Sequence, residues 1–409
     1  MSWFLISLFL PYRLQHHFYM DVAYFLRCFA LPSSHPESIH PCLLHACYLA
    51  ACNLVGGRWA AYEPYFLERS RFFLNQALML ADRIPHFLWA SILLGYYFGK
   101  ARRLEESFAV VSAASRLAVA CGFCTSGENP PLGTVGLLSP PTNKAEAIDR
   151  FWLFHAIYMG DQALPALFPF PETLGCDKES GLATGDVSKN DSWFKIPMIE
   201  AEDLSGFWKS DVHLRASAMH IFQRVHKFAI SVIGNGFPSN NTTYNTLKAE
   251  IQHFDERVLP VSSKKVLEYP EGAPLFNPYV LITHITLLGS GLILYSLRAR
   301  EDTSARSEMV SCAVAIGTIC RSLQRDQQLH SIQCSLFSML HMMNAARIFA
   351  QELQGSKAQE NDRLSASYCC SLECLLDTMD AVTLTYTAWS DTPASLKNPL
   401  TAAVDAMLV

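Results

Sequence analysis

The sequence predicts an all-α protein, on three observations. Half of its 409 residues are hydrophobic and 17% are charged, the balance of a chain that folds around a core. Apolar residues recur at three- and four-residue steps in segment after segment, which is the helical period. These segments are bounded by helix starts and stops such as Pro41 and Gly56. The expected architecture is an irregular multi-helix bundle of antiparallel helix pairs, solenoid-like in part, with long loops. Small residues at the contacts fit paired helices, and no fixed period marks a regular repeat.

Residues 1–30 read as helical, ending near Leu31. The opening "MSWFLISLFLPYRL" has no basic flank, only a short apolar run and no small-x-small cleavage pattern, so it reads as a first helix docking on the core. After the loop "PSSHPESIHP", Pro41 starts a helix with Leu44, Cys47, Tyr48, Ala51 and Val55 on one face, stopped by Gly56 and Gly57. The next helix, Tyr62 to Asp82, turns Phe66, Phe73, Leu74, Ala77 and Leu80 inward and leaves Glu68, Arg69 and Arg71 wet.

From Trp89 to Cys121 the pattern gives two helices joined at Gly99. In the second, Leu104, Phe108 and Val111, with Val110, Ala113, Ala114, Leu117 and Cys121, make nearly the whole perimeter fit for burial, which predicts an interior helix. Glu105 and Glu106 suit its first turn, Arg116 its end, and Gly122 a left-handed stop. A third helix opens at Asn143 with Glu146 at capping-box spacing, and buries Ile148, Phe151, Trp152, Ala156 and Met159 against the same core.

Two Gly/Pro/Ser-rich stretches, 127–143 and 172–192, read as surface loops. The second divides an N-terminal helical half (1–171) from a C-terminal half (196–409) packed on the first, with 172–195 as linker. In the second half, 196–234 sets Met219, Phe222, Val225 and Phe228 or Ala229 inward. "TLKAEIQHFDERVLP" places Leu247, Ile251, Phe254 and Val258 on one stripe and ends at Pro260. Tyr279 to Leu297 carries no formal charge and is long enough to cross a bilayer, but Thr283, His284, Thr286 and Ser290 near its middle favour a buried core helix. Three further apolar-faced helices complete the chain.

Candidate chemistry is sparse. A net charge of −5 does not suit a domain that grips nucleic-acid phosphates. Thirteen cysteines without framework spacing fit reduced thiols. Cys121-x2-Cys124 lacks the second pair of a zinc site, and Cys369, Cys370 and Cys374 form none. His16, His17, His155, His284 and His341 read as core or rim histidines. No nucleophile elbow, phosphate loop or dinucleotide motif occurs, and "GSG" at 289–291 reads as a close-packing contact. Asp149, Arg150 and Asp161 suit ion-pair or capping roles, "KARRLEE" around Lys100, Arg102 and Arg103 a solvated helix corner, and the sequons at Asn240 and Asn241 chance. No catalytic residue, metal ligand or cofactor is assigned.

Five segments stand in a telling order: "YEPYFLERSRFFLNQALMLADR", an A-S-x-L-L-x-Y-Y helix, "AASRLAVACGF", a "PP" pair and "EAIDRFWLFHAIYMGD". In that order they resemble the fungal-specific transcription factor regulatory domain, the helical middle region of many fungal zinc-cluster regulators. The "LxxLFLPxR" opening and the "L-x-x-x-I-x-x-F-x-x-x-L-P" helix are similar to the same family. The resemblance covers residues 1–355, most closely 41–161. It departs at Gln162, where the family carries a basic residue after Asp161, and at "LFPFP", where a Gly-x-Pro turn is expected.

The resemblance implies a nuclear regulatory domain of an RNA polymerase II transcription factor, without catalysis or membrane attachment. Its partners would be co-regulator proteins, a small-molecule effector and a second copy. DNA would be read by a zinc cluster outside this chain, since no C-x2-C-x6-C run occurs here and the chain begins within the regulatory domain. A truncated product and a DNA-free regulator both fit. Beside this reading stand a helical-repeat interaction scaffold, an α-helical enzyme and a membrane-attached protein.

Overall fold

A computed structural model describes residues 2–123, 137–139, 141, 144–167, 173, 207–237, 241–255, 278–325, 336–358 and 362–385. Every regular element among the described residues is helical, as the sequence predicts, and none is a strand. The chain divides into two compact units, Met1–Pro165 with Pro169–Met198, and Ala166–Phe168 with Ile199–Val409. The expected linker, 172–195, and nearly all of both loop stretches lie outside the described residues.

The first unit opens with α1 (Ser2–Phe9), a 3-10 segment (Leu10–His16) and α2 (Val22–Phe29). The first 30 residues are thus helical, as expected, in three pieces. Pro11 has no N–H to donate, His17 turns left-handed (φ 54°), and Asp21 restarts the helix by accepting a 2.7 Å bond from the Tyr24 N–H. Next come α3 (Pro41–Val55), a second 3-10 segment (Gly57–Tyr62) and α4 (Glu63–Leu80). α3 starts at Pro41 and stops at Gly56 as expected, but it packs against α1, α4 and α5 and is buried around most of its perimeter, while its last residue, Val55, is exposed.

α4 buries Phe66, Ser70 and Ala77 and keeps Phe73 and Leu74 half-buried. Leu80, expected inward, is 66% exposed. Ala81 (φ 50°) and Arg83 (φ 46°) reverse the chain immediately after it, so the last turn of α4 projects past the core.

α5 (Ile84–Lys100) and α6 (Leu104–Ala120) form the expected hairpin. The joint lies at Ala101–Arg103, with Arg102 left-handed (φ 60°), and Gly99 belongs to the last turn of α5. The two helices approach closely at Gly95, where a Cβ would lie 2.5 Å from Val111 Cγ2, and Ser107 Oγ donates to the Gly95 carbonyl at 2.7 Å. α6 is not interior. Its buried stripe is Ser107, Val111, Ala114, Ser115, Ala118 and Cys121, whereas Ala113, Arg116 and Val119 face solvent. Of the apolar positions expected inward, Ala113 is exposed and Leu104, Phe108, Val110 and Leu117 are only half-buried, so the fully buried stripe is narrower than the period suggests.

α7 (Lys144–Leu167) returns to this hairpin as expected. A Cβ at Gly160 would lie 3.3 Å from Val111 Cγ1 and 3.7 Å from Ile92 Cδ1, and Trp152, Ala156 and Met159 are buried. Ile148 is half-buried, and Asn143 and the Phe151 side chain lie outside the description.

The second unit comprises α8 (Phe207–Asn235), α9 (Thr242–His253), α10 (Pro278–Ser296), α11 (Thr303–Arg325), α12 (Leu336–Ala358) and α13 (Asp362–Thr385). α10 is its axis and packs against α8, α9, α11 and α12. The "GSG" contact holds: Cβ atoms at Gly289 and Gly291 would lie 2.0 Å from His341 Nδ1 on α12 and 2.8 Å from Cys312 Sγ on α11. Two buried hydroxyls on α10 are satisfied within the helix, Thr286 donating to the Ile282 carbonyl (2.7 Å) and Ser290 to that of Thr286 (2.8 Å). Met219, Phe222, Val225 and Ala229 on α8, Leu247 and Ile251 on α9 and Phe254 just after it are buried; Val258 and Pro260 lie outside the description. Among the described residues no helix is long and apolar enough to cross a membrane.

Candidate functional site

The densest polar cluster joins the start of α3 to the α4–α5 turn. His40 caps α3, its Nδ1 accepting from the Cys42 N–H at 3.2 Å and lying 3.0 Å from the Cys42 thiol. Its backbone N–H donates to His86 Nδ1 on α5 at 3.2 Å. On the other edge of the ring, His40 Nε2 stands 3.5 Å from Asp82 Oδ2. Asp82 takes two bonds from the Arg83 guanidinium (2.9 and 2.8 Å), which also donates to the Ser38 carbonyl (2.9 Å) and hydroxyl (2.8 Å).

Thiol, imidazole and carboxylate thus follow one another in the order of a nucleophilic relay. Their protonation argues for a structural role. Burial pushes the Cys42 thiol up to about 12 in spite of its place in the first turn of α3, so the nucleophilic thiolate is scarcely populated at neutral pH. Burial also lowers His40, and takes His86 down to about 3 with Arg83 adding repulsion, so both rings stay neutral. The hydrogen bond from Arg83 holds the Asp82 carboxyl below its ordinary range. The cluster locks the cap of α3 onto the turn that orients α5.

A second group surrounds Trp89, which is fully buried on α5. Phe18 and Tyr19 meet its rings at 5.1 and 6.5 Å, Tyr19 reaches Trp152 at 6.0 Å, and His17 stacks on Tyr96 at 4.6 Å while its Nδ1 lies 2.8 Å from the Tyr19 hydroxyl. Asp149 lies against the Trp89 indole, and burial raises its carboxyl to about 6. The expected ion pair is made by Arg150, which pairs with Glu146 (2.5 Å) and donates to the Ser139 carbonyl (2.8 Å).

The "KARRLEE" corner is also more than a solvated turn. Glu106 binds both Arg103 and Arg71 of α4, and the two guanidiniums lie 4.7 and 4.9 Å from the ring centre of Phe98, which is fully buried. Lys100 is drawn down to about 8 by burial, with Glu63 opposing the shift.

The remaining candidates are scattered. Asp161 and Gln162 are both buried, the Gln162 amide donating to Asp161 at 3.1 Å. His16, His155 and His341 are buried and His284 is half-buried; His155 rests on Trp152 at 5.9 Å and His341 on Phe222 at 5.2 Å. Cys121 is buried and Cys124 lies outside the description, as does Asn240, while Asn241 precedes α9. Among the described residues no three His, Cys, Asp or Glu side chains gather as a metal site. The sequence reading missed the His40–Cys42–Asp82–His86 cluster because its members come from two segments some forty residues apart; the "H-P-C" step at a helix start was the one local signal.

No protein-family model, curated protein or solved structure matches this chain.

Proposed function

We propose that this chain is a regulatory domain that works by binding proteins, acting in a fungal nucleus as part of an RNA polymerase II transcription factor. DNA recognition would come from a zinc cluster on another segment or partner, and a small-molecule effector would bias the domain. The observation that carries the protein-binding part is an apolar ridge on the outer face of the first unit. Phe4 packs on Trp59 (5.2 Å) and Trp59 on Tyr62 (5.8 Å), Trp3 is exposed against Phe29 (4.9 Å), and Tyr65, Phe72 and Met79 are exposed in a row along α4. Large apolar side chains exposed together in this way support a protein contact there. The transcriptional part rests on the five resembling segments, four of which fall on α4 to α7.

The test fuses the chain to an unrelated DNA-binding module upstream of a reporter in yeast, with a fluorescent tag to follow location. A change in reporter output that Trp3→Ser or Phe72→Asp abolishes, in a nuclear fusion, is expected. An inert fusion excluded from the nucleus would overturn the reading.

A further inference from the structure

We propose that α4 is the pairing surface for a second copy of this chain, the two α4 helices lying side by side and parallel about a two-fold axis along their length. The inference names the partner for part of the ridge above and rests on that ridge being a protein contact.

Along α4, Tyr65, Phe72 and Met79 recur every seventh residue and are 54, 60 and 85% exposed. On a helix of 3.6 residues per turn they fall on one line, opposite the buried Phe66, Ser70 and Ala77. A seven-residue stripe is what a second helix crossing at a shallow left-handed angle covers. With roughly 200 Å² for each large side chain, Tyr65, Phe72 and Met79 leave about 400 Å² open per copy, and the exposed Glu68, Arg69, Asn75 and Gln76 flanking them widen the face toward the lower end of specific interfaces.

Charge selects the occupant and its direction. Glu68 and Arg69 stand on opposite edges of the stripe, one residue apart in height. Both are exposed, Arg69 resting over the Phe73 ring (4.7 Å) and Glu68 forming no ion pair among the described residues. A parallel two-fold therefore brings Glu68 of each copy to Arg69 of the other, on both edges at once, and sets Asn75 beside Gln76 two turns on. An antiparallel pair would leave all four charges without a counter-charge. The face is self-complementary only in the parallel arrangement.

Sedimentation of the full chain over a concentration series tests this, with circular dichroism showing that the variants fold. The wild type should form dimers, and Phe72→Asp should weaken them more than tenfold. Glu68→Arg and Arg69→Glu, each placing like charges on both edges, should each weaken self-association about tenfold, while an equimolar mixture of those two variants, which regains an opposite-charge pair on each edge, should dimerise almost as well as the wild type. A chain monomeric at every concentration overturns the inference, and so does a dimer that survives Phe72→Asp or a mixture that fails to recover. If the chain is monomeric yet its reporter still requires Phe72, the ridge serves another protein and the proposed function stands. If dimers form and the reporter is inert, the proposed function falls while the pairing surface stands.

Discussion

The imidazole of His341 occupies the space that a side chain at Gly289 would need, with Nδ1 only 2.0 Å from where the Cβ would be. His341 is itself fully buried on α12 against Phe222, so the ring has little room to yield. Gly289→Ala should therefore destabilise the second unit by roughly 2–3 kcal/mol, an overpacking cost that outweighs the helix propensity gained by alanine. Urea unfolding measures it. His341→Ala added to Gly289→Ala should cost at least about 1 kcal/mol less than the two single changes summed; strict additivity would show that the ring is not the obstacle.

Acid should unfold the chain through its histidines. Burial holds His86 and His341 at about 3 and His45 and His220 at about 4, against 6.5 when unfolded. The unfolded chain then binds more protons than the folded one below pH 6.5, so stability falls as pH drops through that value and keeps falling toward pH 3–4. Each ring steepens the fall by up to about 1.4 kcal/mol per pH unit. Thermal unfolding between pH 7.5 and 4.5 checks the sign; a midpoint that holds constant would mean the rings are hydrated.

Asp149 works the other way. Its folded carboxyl titrates at about 6, above its ordinary 3.8, so its contribution is present at low pH and is lost as pH rises through 6. Asp149→Asn keeps the shape without the charge and should stabilise the first unit by roughly 1–3 kcal/mol at pH 8. The gain should vanish below pH 4, a pH dependence that a packing effect would not show.

Trp152→Ala removes a buried indole that touches Tyr19 and His155, and should cost roughly 3–5 kcal/mol. An unchanged melting temperature would remove α7 from the core. Thiol reactivity gives a gentler probe: native Cys370, which is exposed, should be alkylated at pH 8, whereas Cys42 and Cys47, both fully buried with raised thiols, should react only on unfolding.

Helix positions were largely legible in the sequence because they follow from local signals. Pro41, Gly56 and Gly122 punctuate α3 and α6, and the apolar run through Tyr279 to Leu297 encloses the glycines that let α10 meet its neighbours. Burial was less legible where the decisive fact is tertiary. Leu80 looks inward by period, yet the left-handed Ala81 and Arg83 end α4 beyond the core. Asp149 looks like an ordinary helix-surface acid, yet it is half-buried with its carboxyl against the Trp89 indole of α5, a tertiary contact that no local spacing reveals. The His40 cluster was invisible for the same reason, since no spacing in the chain announces that His86 will accept a bond from the backbone of His40.

The clamp at Glu106 has a mechanical consequence. Arg71 adjoins Phe72 in the chain, yet its guanidinium is tied to Glu106 of α6 and rests on Phe98 near the end of α5. Any load applied to the outer edge of α4 therefore passes within one residue to the far ends of the central hairpin, bypassing the α4–α5 turn. The outer helix is braced like a strut on this edge, while Phe66, Ser70 and Ala77 hold its inner face in the core.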